Sequence, residues 1–200
     1  MTTTTIDLIR HGEPVGGSRY RGQIDDPLSD KGWAQMRAAV ADQCPWHSIV
    51  SSPLSRCACF AEELAGRHDL PLSFDERLME IGFGDWEGLT REQISAQDPD
   101  ALQRFYHDPI KHQPPGAETL ADFQSRVVAA WQALLAAAAG QQVLVVAHAG
   151  VMRMIIRHVL GMPLDRMFSL YVPNAGISRI RIDGQGANAL ASLLFHDGQL

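Results

Sequence analysis

The sequence predicts an α/β protein, a three-layer α/β/α sandwich around a mostly parallel sheet. Short apolar runs alternate with helical segments along the 200 residues. The clearest run, residues 143–147, reads VLVVA and is continuously apolar, which is typical of a strand that helices cover on both faces. Neither an internal repeat nor a linker interrupts this alternation, so we expect one domain over residues 1–200.

Composition excludes several classes of protein. The apolar fraction of 46% and the charged fraction of 20% are those of an ordinary globular protein. The net charge of -6 argues against nonspecific nucleic-acid binding, although a few arginines in one pocket can still bind an anionic small molecule. No apolar run approaches the roughly 18–20 residues that span a bilayer. Composition gives no indication of the oligomeric state.

The start of the chain and the cysteines indicate the compartment. The first residues, MTTTT, lack the basic and apolar regions of a signal peptide. Three cysteines without framework spacing predict neither a disulfide scaffold nor a zinc site. We therefore expect a cytoplasmic protein with no membrane or nucleic-acid partner.

Each element has a local signal. Ser29 is a good N-cap for the first helix, and Pro53 suits the first turn of the second helix. Gly140 is expected just after the end of the longest helix. Three prolines make residues 108–119 irregular, and glycines make residues 77–88 a loop. The predicted strands are residues 6–9, 48–51, 143–147, 177–182 and 189–195, the last two nearer an edge. The predicted helices are residues 31–40, 54–65, 90–97, 99–106, 118–139 and 151–160.

Two of the predicted strands end in histidine. The first ends in Arg10-His11-Gly12 and the third in His148-Ala149-Gly150. In open α/β sheets, ligands bind outside the carboxyl ends of the strands. If the two strands are parallel neighbours, about 4.8 Å apart, both histidines face one crevice. Glycine after each histidine would let a ligand approach closely.

The second strand adds features of a phosphate site. It ends in Ser52-Pro53 and leads into a helix whose free N–H groups and dipole favour an anion. Arg56 in that helix and Arg10 carry forked donors that suit phosphate. A proton donor for a leaving group is available in the following loop as Glu80, Asp85 or Glu87, and spacing does not choose among them. The two histidines, the two arginines and the helix N-terminus together predict a phosphate-binding crevice.

Five segments then resemble the histidine phosphatase superfamily, also called phosphoglycerate-mutase-like. They are LIRHGEP, SSPLSRC, RLMEIGFGDWEG, PPGAETL and VVAHAGVMR, in the order expected of that family. The resemblance implies the phosphoglycerate-mutase-like fold and makes His11 the residue that becomes phosphorylated. It implies that Arg10, Arg56 and His148 hold the phosphoryl group. It also selects Glu80 as the general acid, with Asp85 and Glu87 left to order the loop.

The implied activity is that of a metal-independent phosphomonoesterase that acts on a small phosphorylated metabolite without a cofactor. Neutral His11 would attack phosphorus while its other ring nitrogen donates to an acceptor such as a backbone carbonyl. The two arginines and a protonated His148 would compensate the charge on the equatorial oxygens. Glu80 would protonate the leaving group and then activate water.

The rest of the pocket is less closely matched to the family. The segment PVGGSRYRGQ lacks the asparagine that relatives commonly carry, which leaves Ser18 and Gln23 as candidate substrate contacts beside Ala149. An insert over residues 90–115 is expected to lie over the crevice. Four residues could either line the crevice or pack the insert down: Trp86, Phe105, Tyr106 and His107.

Alternatives remain for the function. A phosphoglycerate-type mutase would use the same histidine, but mutase relatives tend to be longer, so the compact chain favours hydrolysis. A catalytically silent relative that binds phospho-ligands or proteins would not need both nucleophile and acid. The segment RYRGQIDDPLSDKG resembles the branch that contains α-ribazole phosphatases, which makes α-ribazole 5′-phosphate a candidate substrate. The same branch includes broad-specificity and sugar-phosphate phosphatases.

Overall fold

A six-stranded sheet forms the centre of the molecule. The computed structural model describes residues 2–184, 186 and 189–200; Met1, Gln185, Ala187 and Asn188, which the predicted domain includes, lie outside that description. The strands are β1 Thr3–Arg10, β2 Ser48–Ser51, β3 Leu72–Phe74, β4 Gln142–Ala147, β5 Ile177–Asp183 and β6 Leu190–Gly198. Their order across the sheet is β3-β2-β4-β1-β5-β6.

Four neighbouring strands are parallel, as predicted. Strand β2 pairs with β3 and β4, and β4 pairs with β1, all in parallel. Strands β5 and β6 complete one side of the sheet as antiparallel partners. In the β1–β4 register, Arg10 stands opposite Ala147. The residues that follow, His11 and His148, therefore leave the sheet side by side.

Helices cover both faces of the sheet, which confirms the three layers. The helices are α1 Asp30–Val40, α2 Ser55–His68, α3 Arg91–Gln97, α4 Ala101–His107, α5 Leu120–Ala137 and α6 Ala149–Val159. Strand β4 contacts both helical layers: Val143 and Val145 belong to the core beneath α5 and α6, whereas Leu144 and Val146 belong to the core beneath α1 and α2. Short 3-10 helices occupy Glu76–Leu78, Gly84–Trp86 and Leu164–Ser169.

Of the three signals at helix ends, that of Ser29 was correct, whereas Pro53 lies two residues before α2 rather than in its first turn. The hydroxyl of Ser29 caps α1 by accepting the backbone N–H of Gly32 at 3.0 Å. Helix α5, however, ends at Ala137, two residues before the predicted end. Gly140 follows in a turn with φ of 77°, so it directs the chain into β4 rather than directly ending the helix.

Strand β3 was not predicted. Its three residues, Leu72–Phe74, are too few to show a period, and Phe74 is exposed at the edge of the sheet. Strand β1 begins at Thr3, three residues before the predicted start, because its outer part pairs with β5 as far as Asp183. Pairing with a neighbour thus defines strands where the sequence pattern is weak.

Candidate active site

The two histidines lie together at the carboxyl ends of β1 and β4. The backbone N–H of His11 donates to the carbonyl of Ala147 at 2.9 Å, which continues the parallel ladder by one residue. The rings of His11 and His148 pack edge to face with centroids 5.1 Å apart. The predicted juxtaposition of the two motifs is therefore present.

One ring nitrogen of His11 is fixed by a backbone carbonyl. Nδ1 lies 2.7 Å from the carbonyl oxygen of Gly12, and because a carbonyl only accepts, Nδ1 carries the proton. Burial, followed by the charges of Arg10 and Arg56, holds the pKa of His11 well below its usual range. The ring is thus neutral near pH 7, and its Nε2 has a free lone pair.

Arg10 reaches the same site from the last residue of β1. Its Nη1 donates to the carbonyl of Val172 at 2.7 Å. Its Nε is buried and has no hydrogen-bond partner in the part of the chain that the structure describes. Burial lowers the pKa of Arg10 to about 10, so the guanidinium remains charged at pH 7. A buried donor of this kind favours an anionic ligand.

Arg56 lies almost fully buried on α2, where backbone carbonyls hold its guanidinium in place. Nη1 donates to the carbonyl of Ile24 at 2.7 Å and Nη2 to that of Gly22 at 2.8 Å. Nε donates to Nδ1 of His148 at 3.3 Å. The loop before α1 therefore fixes the orientation of this cation at the base of the cleft.

Hydrogen bonds and burial define the state of His148 in the structure. Because Nδ1 accepts from Arg56, the proton must lie on Nε2, which donates to Oγ of Ser52 at 2.8 Å. Burial and the charge of Arg56 hold its pKa well below the usual range. His148 is therefore neutral in this structure, fully buried and placed beneath the cleft, where it orients Arg56; its predicted role in holding the phosphoryl group stays a prediction.

Two further expectations about the approach to the site were wrong. The N–H at the start of α2 is not free for a ligand, because the N–H of Ser55 donates to the carboxylate of Asp25 at 2.6 Å. The anion at that helix terminus belongs to the protein itself. At Gly12, an added Cβ would lie 2.3 Å from the carbonyl oxygen of Gly32. Gly12 thus allows β1 and α1 to approach each other, rather than a ligand to approach His11.

The carboxylate of Glu80 lies in the cleft with both oxygens oriented by backbone groups. Oε1 accepts the N–H of Ile81 at 3.0 Å, and Oε2 accepts the N–H of Gly150 in the first turn of α6 at 3.1 Å. The other two carboxylates of the loop have different positions. Asp85 is exposed, and Glu87 orders the loop by accepting the N–H groups of Gln23 and Phe83.

Arg126 on α5 clamps the segment that carries Glu80. Its Nη1 donates to the carbonyls of Arg77 and Met79 at 2.8 and 2.7 Å, and its Nη2 donates to the carbonyl of Glu80 at 3.0 Å. Nε and Nη2 of Arg126 donate to the carboxylate of Glu118 at 2.6 and 2.8 Å, so Glu118 neutralises the charge of the clamp. The long helix thereby fixes the backbone of the acid residue.

Of these groups, Arg10, His11, Arg56 and Glu80 border a cleft of about 620 Å³. Six arginines and two glutamates line it, although the net charge of the chain is -6. Of the other predicted contacts, Ser18 and Ala149 line the cleft, whereas Gln23 is exposed outside the lining. The lining arginines are Arg10, Arg19, Arg21, Arg56, Arg91 and Arg153.

The insert over residues 90–115 covers the outer side of this cleft, as expected. Tyr106 lines the cleft, and its hydroxyl lies 2.8 Å from that of Tyr20. Trp86 and Phe105 are buried in a separate apolar cluster that holds the insert in place. His107 borders a different surface depression. Tyr106 therefore lines the cleft, Trp86 and Phe105 pack the insert, and His107 belongs to another part of the surface.

Two residues of the site were missed in the sequence. Ser52 holds the ring of His148, and Arg153 lines the cleft from α6. A signal for Arg153 was present, because it follows Ala149 by four residues and so lies on the same face of the helix. Ser52 follows a strand in the same way as the two histidines.

Membrane-spanning helices and clusters of metal ligands are both absent from the part of the chain that the structure describes. In residues 2–184, 186 and 189–200, no helix is long and apolar enough to cross a membrane. The same described residues contain no group of three or more His, Cys, Asp or Glu side chains arranged to hold a metal ion.

The fold and the cleft define a class of α/β proteins that present paired histidines and clustered arginines to an anionic ligand. The chain belongs to the histidine phosphatase superfamily (branch 1), whose sequence profile matches residues 6–193. This confirms the predicted family, its phosphoglycerate-mutase-like fold and the class of enzyme, a phosphoric monoester hydrolase.

Individual relatives cover most of the chain. Phosphoserine phosphatase 1 of Hydrogenobacter thermophilus is 32% identical, over 88% of this chain and 85% of its own length. Glucosyl-3-phosphoglycerate phosphatase of Mycolicibacterium vanbaalenii is 34% identical, over 82% of this chain and 78% of its own. The solved structure of the α-ribazole phosphatase from Shigella flexneri matches with a TM-score of 0.76 at 26% identity, over 95% of each chain.

Proposed function

We propose that this protein is a metal-independent phosphomonoesterase that forms a phosphohistidine on His11 and acts on a small phosphorylated metabolite. The observation that carries the proposal is the state of His11. Its Nδ1–H is held by the carbonyl of Gly12, its ring is neutral, and the cations Arg10 and Arg56 lie beside it. A neutral imidazole among cations is suited to attack a phosphate ester.

In the first step, Nε2 of His11 forms a bond to phosphorus as the bond from phosphorus to the ester oxygen breaks. The leaving oxygen takes a proton from the carboxyl group of Glu80, so a neutral alcohol departs. Nε of Arg10, which lacks a partner among the described atoms, donates to an equatorial oxygen of the phosphoryl group. Arg56 supplies positive charge at the base of the cleft, oriented by His148.

In the second step, water attacks the phosphohistidine. The carboxylate of Glu80 takes the proton of that water, the bond from phosphorus to Nε2 breaks, and inorganic phosphate leaves. His11 returns to its neutral state with Nδ1 still donating to the carbonyl of Gly12. The two steps restore the enzyme and consume one water for each ester.

The relatives suggest the range of substrates to be tested. They are named for phosphoserine, glucosyl-3-phosphoglycerate and α-ribazole phosphate, so the family varies the leaving group. α-Ribazole 5′-phosphate remains the candidate that the segment before α1 suggests. A panel of these three esters and common sugar phosphates identifies the substrate by its kcat/KM.

The proposal is tested with p-nitrophenyl phosphate in excess EDTA. We expect hydrolysis by the purified protein to continue in chelator, and His11→Ala to abolish it. As a matched control, His107→Ala changes a histidine that borders a different depression and should leave the rate unchanged. Activity that disappears in EDTA, or that survives in His11→Ala, contradicts the mechanism.

Two alternatives have their own outcomes. A mutase would isomerise 3-phosphoglycerate in the presence of catalytic bisphosphoglycerate without releasing phosphate. A silent binding protein would bind phosphate esters without forming acid-labile phosphohistidine. The compact chain favours hydrolysis over the mutase, and the presence of both acid and nucleophile argues against a silent binding protein.

A further inference from the structure

The outer part of the cleft holds a cation that the phosphoryl-transfer steps do not use. Arg153 lines the cleft from α6, and its Nε donates to the carbonyl of Leu170 at 2.8 Å. Its guanidinium also lies over the ring of Phe168, 5.7 Å from the centroid. Across the described residues, Arg153 forms no ion pair with a carboxylate. The two Nη groups are therefore free of a charged partner.

The position of Arg153 is between the reacting centre and the rim. Its charge acts on Arg10, and the charge of Glu80 acts on it, so all three lie within electrostatic range. Toward the rim of the cleft, Arg153 also lies within electrostatic range of Tyr20 and Tyr106. Arg153 lines the same cleft as Glu80 and lies within its electrostatic range, so it is on the side of the leaving group whose oxygen Glu80 protonates in the proposed mechanism.

Apart from Glu80, the charges of the cleft do not compensate Arg153. Glu13 is paired with Lys31 at 2.8 Å, and Arg21 is paired with Asp26 at 2.9 Å. Arg91 at the rim lies 3.5 Å from the hydroxyls of Tyr20 and Tyr106 and adds positive charge. Burial lowers the pKa of Arg153, because partial desolvation disfavours its charged form.

We propose that Arg153 binds a carboxylate on the leaving group, so that the enzyme prefers phosphate esters of hydroxy acids to esters of neutral alcohols. Its free Nη pair offers two parallel N–H donors, which match the two oxygens of one carboxylate. A neutral alcohol would leave this partly desolvated cation unpaired. The inference rests on the proposed phosphatase function and specifies the substrate class of the same site.

The experiment compares two esters that differ at one group, 3-phosphoglycerate with a carboxylate and glycerol 3-phosphate with a hydroxymethyl group. The readout is the ratio of their kcat/KM values. We expect the wild-type protein to favour 3-phosphoglycerate by roughly 10- to 100-fold, the range of a charge-assisted hydrogen-bonded pair. Arg153→Met should reduce the ratio to near one, and Arg153→Lys should retain part of it.

Arg67→Met is the matched control, because it removes one arginine from the surface of α2 without changing the lining of the cleft. We expect it to keep the wild-type ratio. A wild-type ratio near one overturns the inference, as does a preference that persists in Arg153→Met. If Arg153→Met fails to fold, an unchanged ratio in Arg153→Lys overturns it equally. Failure of the wild-type protein to hydrolyse any ester, p-nitrophenyl phosphate included, overturns the proposed function instead.

Discussion

His11 shows how a single side chain is set up for its chemistry by neighbours close in sequence and in space. The carbonyl of Gly12 determines which nitrogen carries the proton, whereas burial and two arginines keep the ring neutral. That a histidine stands at the end of β1 could be predicted from the sequence. The tautomer could not, because it depends on where the next carbonyl points after the chain leaves β1.

Glu80 carries the first prediction at the residue scale. In Glu80→Gln, no proton reaches an alkoxide leaving group, so kcat on alkyl phosphates should fall about 10²–10⁴-fold. p-Nitrophenolate leaves without that proton, so the first step should continue while hydrolysis of the phosphohistidine is slowed. We therefore expect a burst of about one p-nitrophenolate per enzyme, followed by slow turnover.

The control for this change is Asp85→Asn, which makes the same carboxylate-to-amide substitution at an exposed position of the same loop. It should show neither the burst nor the loss on alkyl phosphates. Equal effects of the two substitutions in rapid-mixing assays would mean that Glu80 is not the acid.

At the scale of elements, the start of α6 connects the acid to the sheet. Gly150 donates its N–H to Glu80, and an added Cβ there would lie 2.2 Å from Oε1 of Glu80. The sequence suggested that this glycine makes room for a ligand. The structure shows that it makes room for the carboxylate of Glu80.

Gly150→Ala should therefore displace Glu80 and lower kcat, by about 10²-fold for a displacement near 1 Å. Gly66→Ala is its matched control, because Gly66 also lies in a helix but has no atom within 4 Å of an added Cβ. That substitution should keep kcat and raise the free energy of unfolding by about 0.5–1 kcal/mol. Steady-state kinetics and urea unfolding check both expectations, and an unimpaired Gly150→Ala would contradict the first.

The elements also show which parts of the fold were predictable. Strand β4 was placed to within one residue because its burial on both faces is encoded as an unbroken apolar run. Strand β3 was not predicted, because its three residues are too few to show a hydrophobic pattern. The N-terminal end of α2 was misjudged for a different reason. Its partner, Asp25, comes from a loop 30 residues earlier in the chain, and no local signal records that contact.

On the scale of the whole molecule, the family resemblance supplied what local patterns lacked. It chose Glu80 from three carboxylates, and the structure places Glu80 alone of the three in the cleft lining. It did not anticipate Arg153 or the neutral state of His148. Both depend on burial inside the assembled cleft, which becomes visible only when α6, β4 and the insert are in place together.

The two buried neutral histidines should also determine how the stability of the whole protein depends on pH. Both His11 and His148 have pKa values well below the usual range in the folded protein, mainly because of burial. In the unfolded chain a histidine binds a proton below about pH 6.5. The unfolded state then binds more protons than the folded state, so the free energy of unfolding must decrease as the pH falls.

We expect this decrease to begin below about pH 6.5 and to reach roughly 3 kcal/mol per pH unit for the pair below about pH 5.5, well before ordinary carboxylates near pH 4 contribute. Urea unfolding at several pH values measures the slope. The double variant His11→Asn/His148→Asn removes both groups and should reduce the slope between pH 6.5 and 5 to a smaller remainder, to which His158 contributes because burial also lowers its pKa. A slope that the double variant retains in full would show that other groups cause it, and the neutral state assigned to the two histidines would then lose its thermodynamic support.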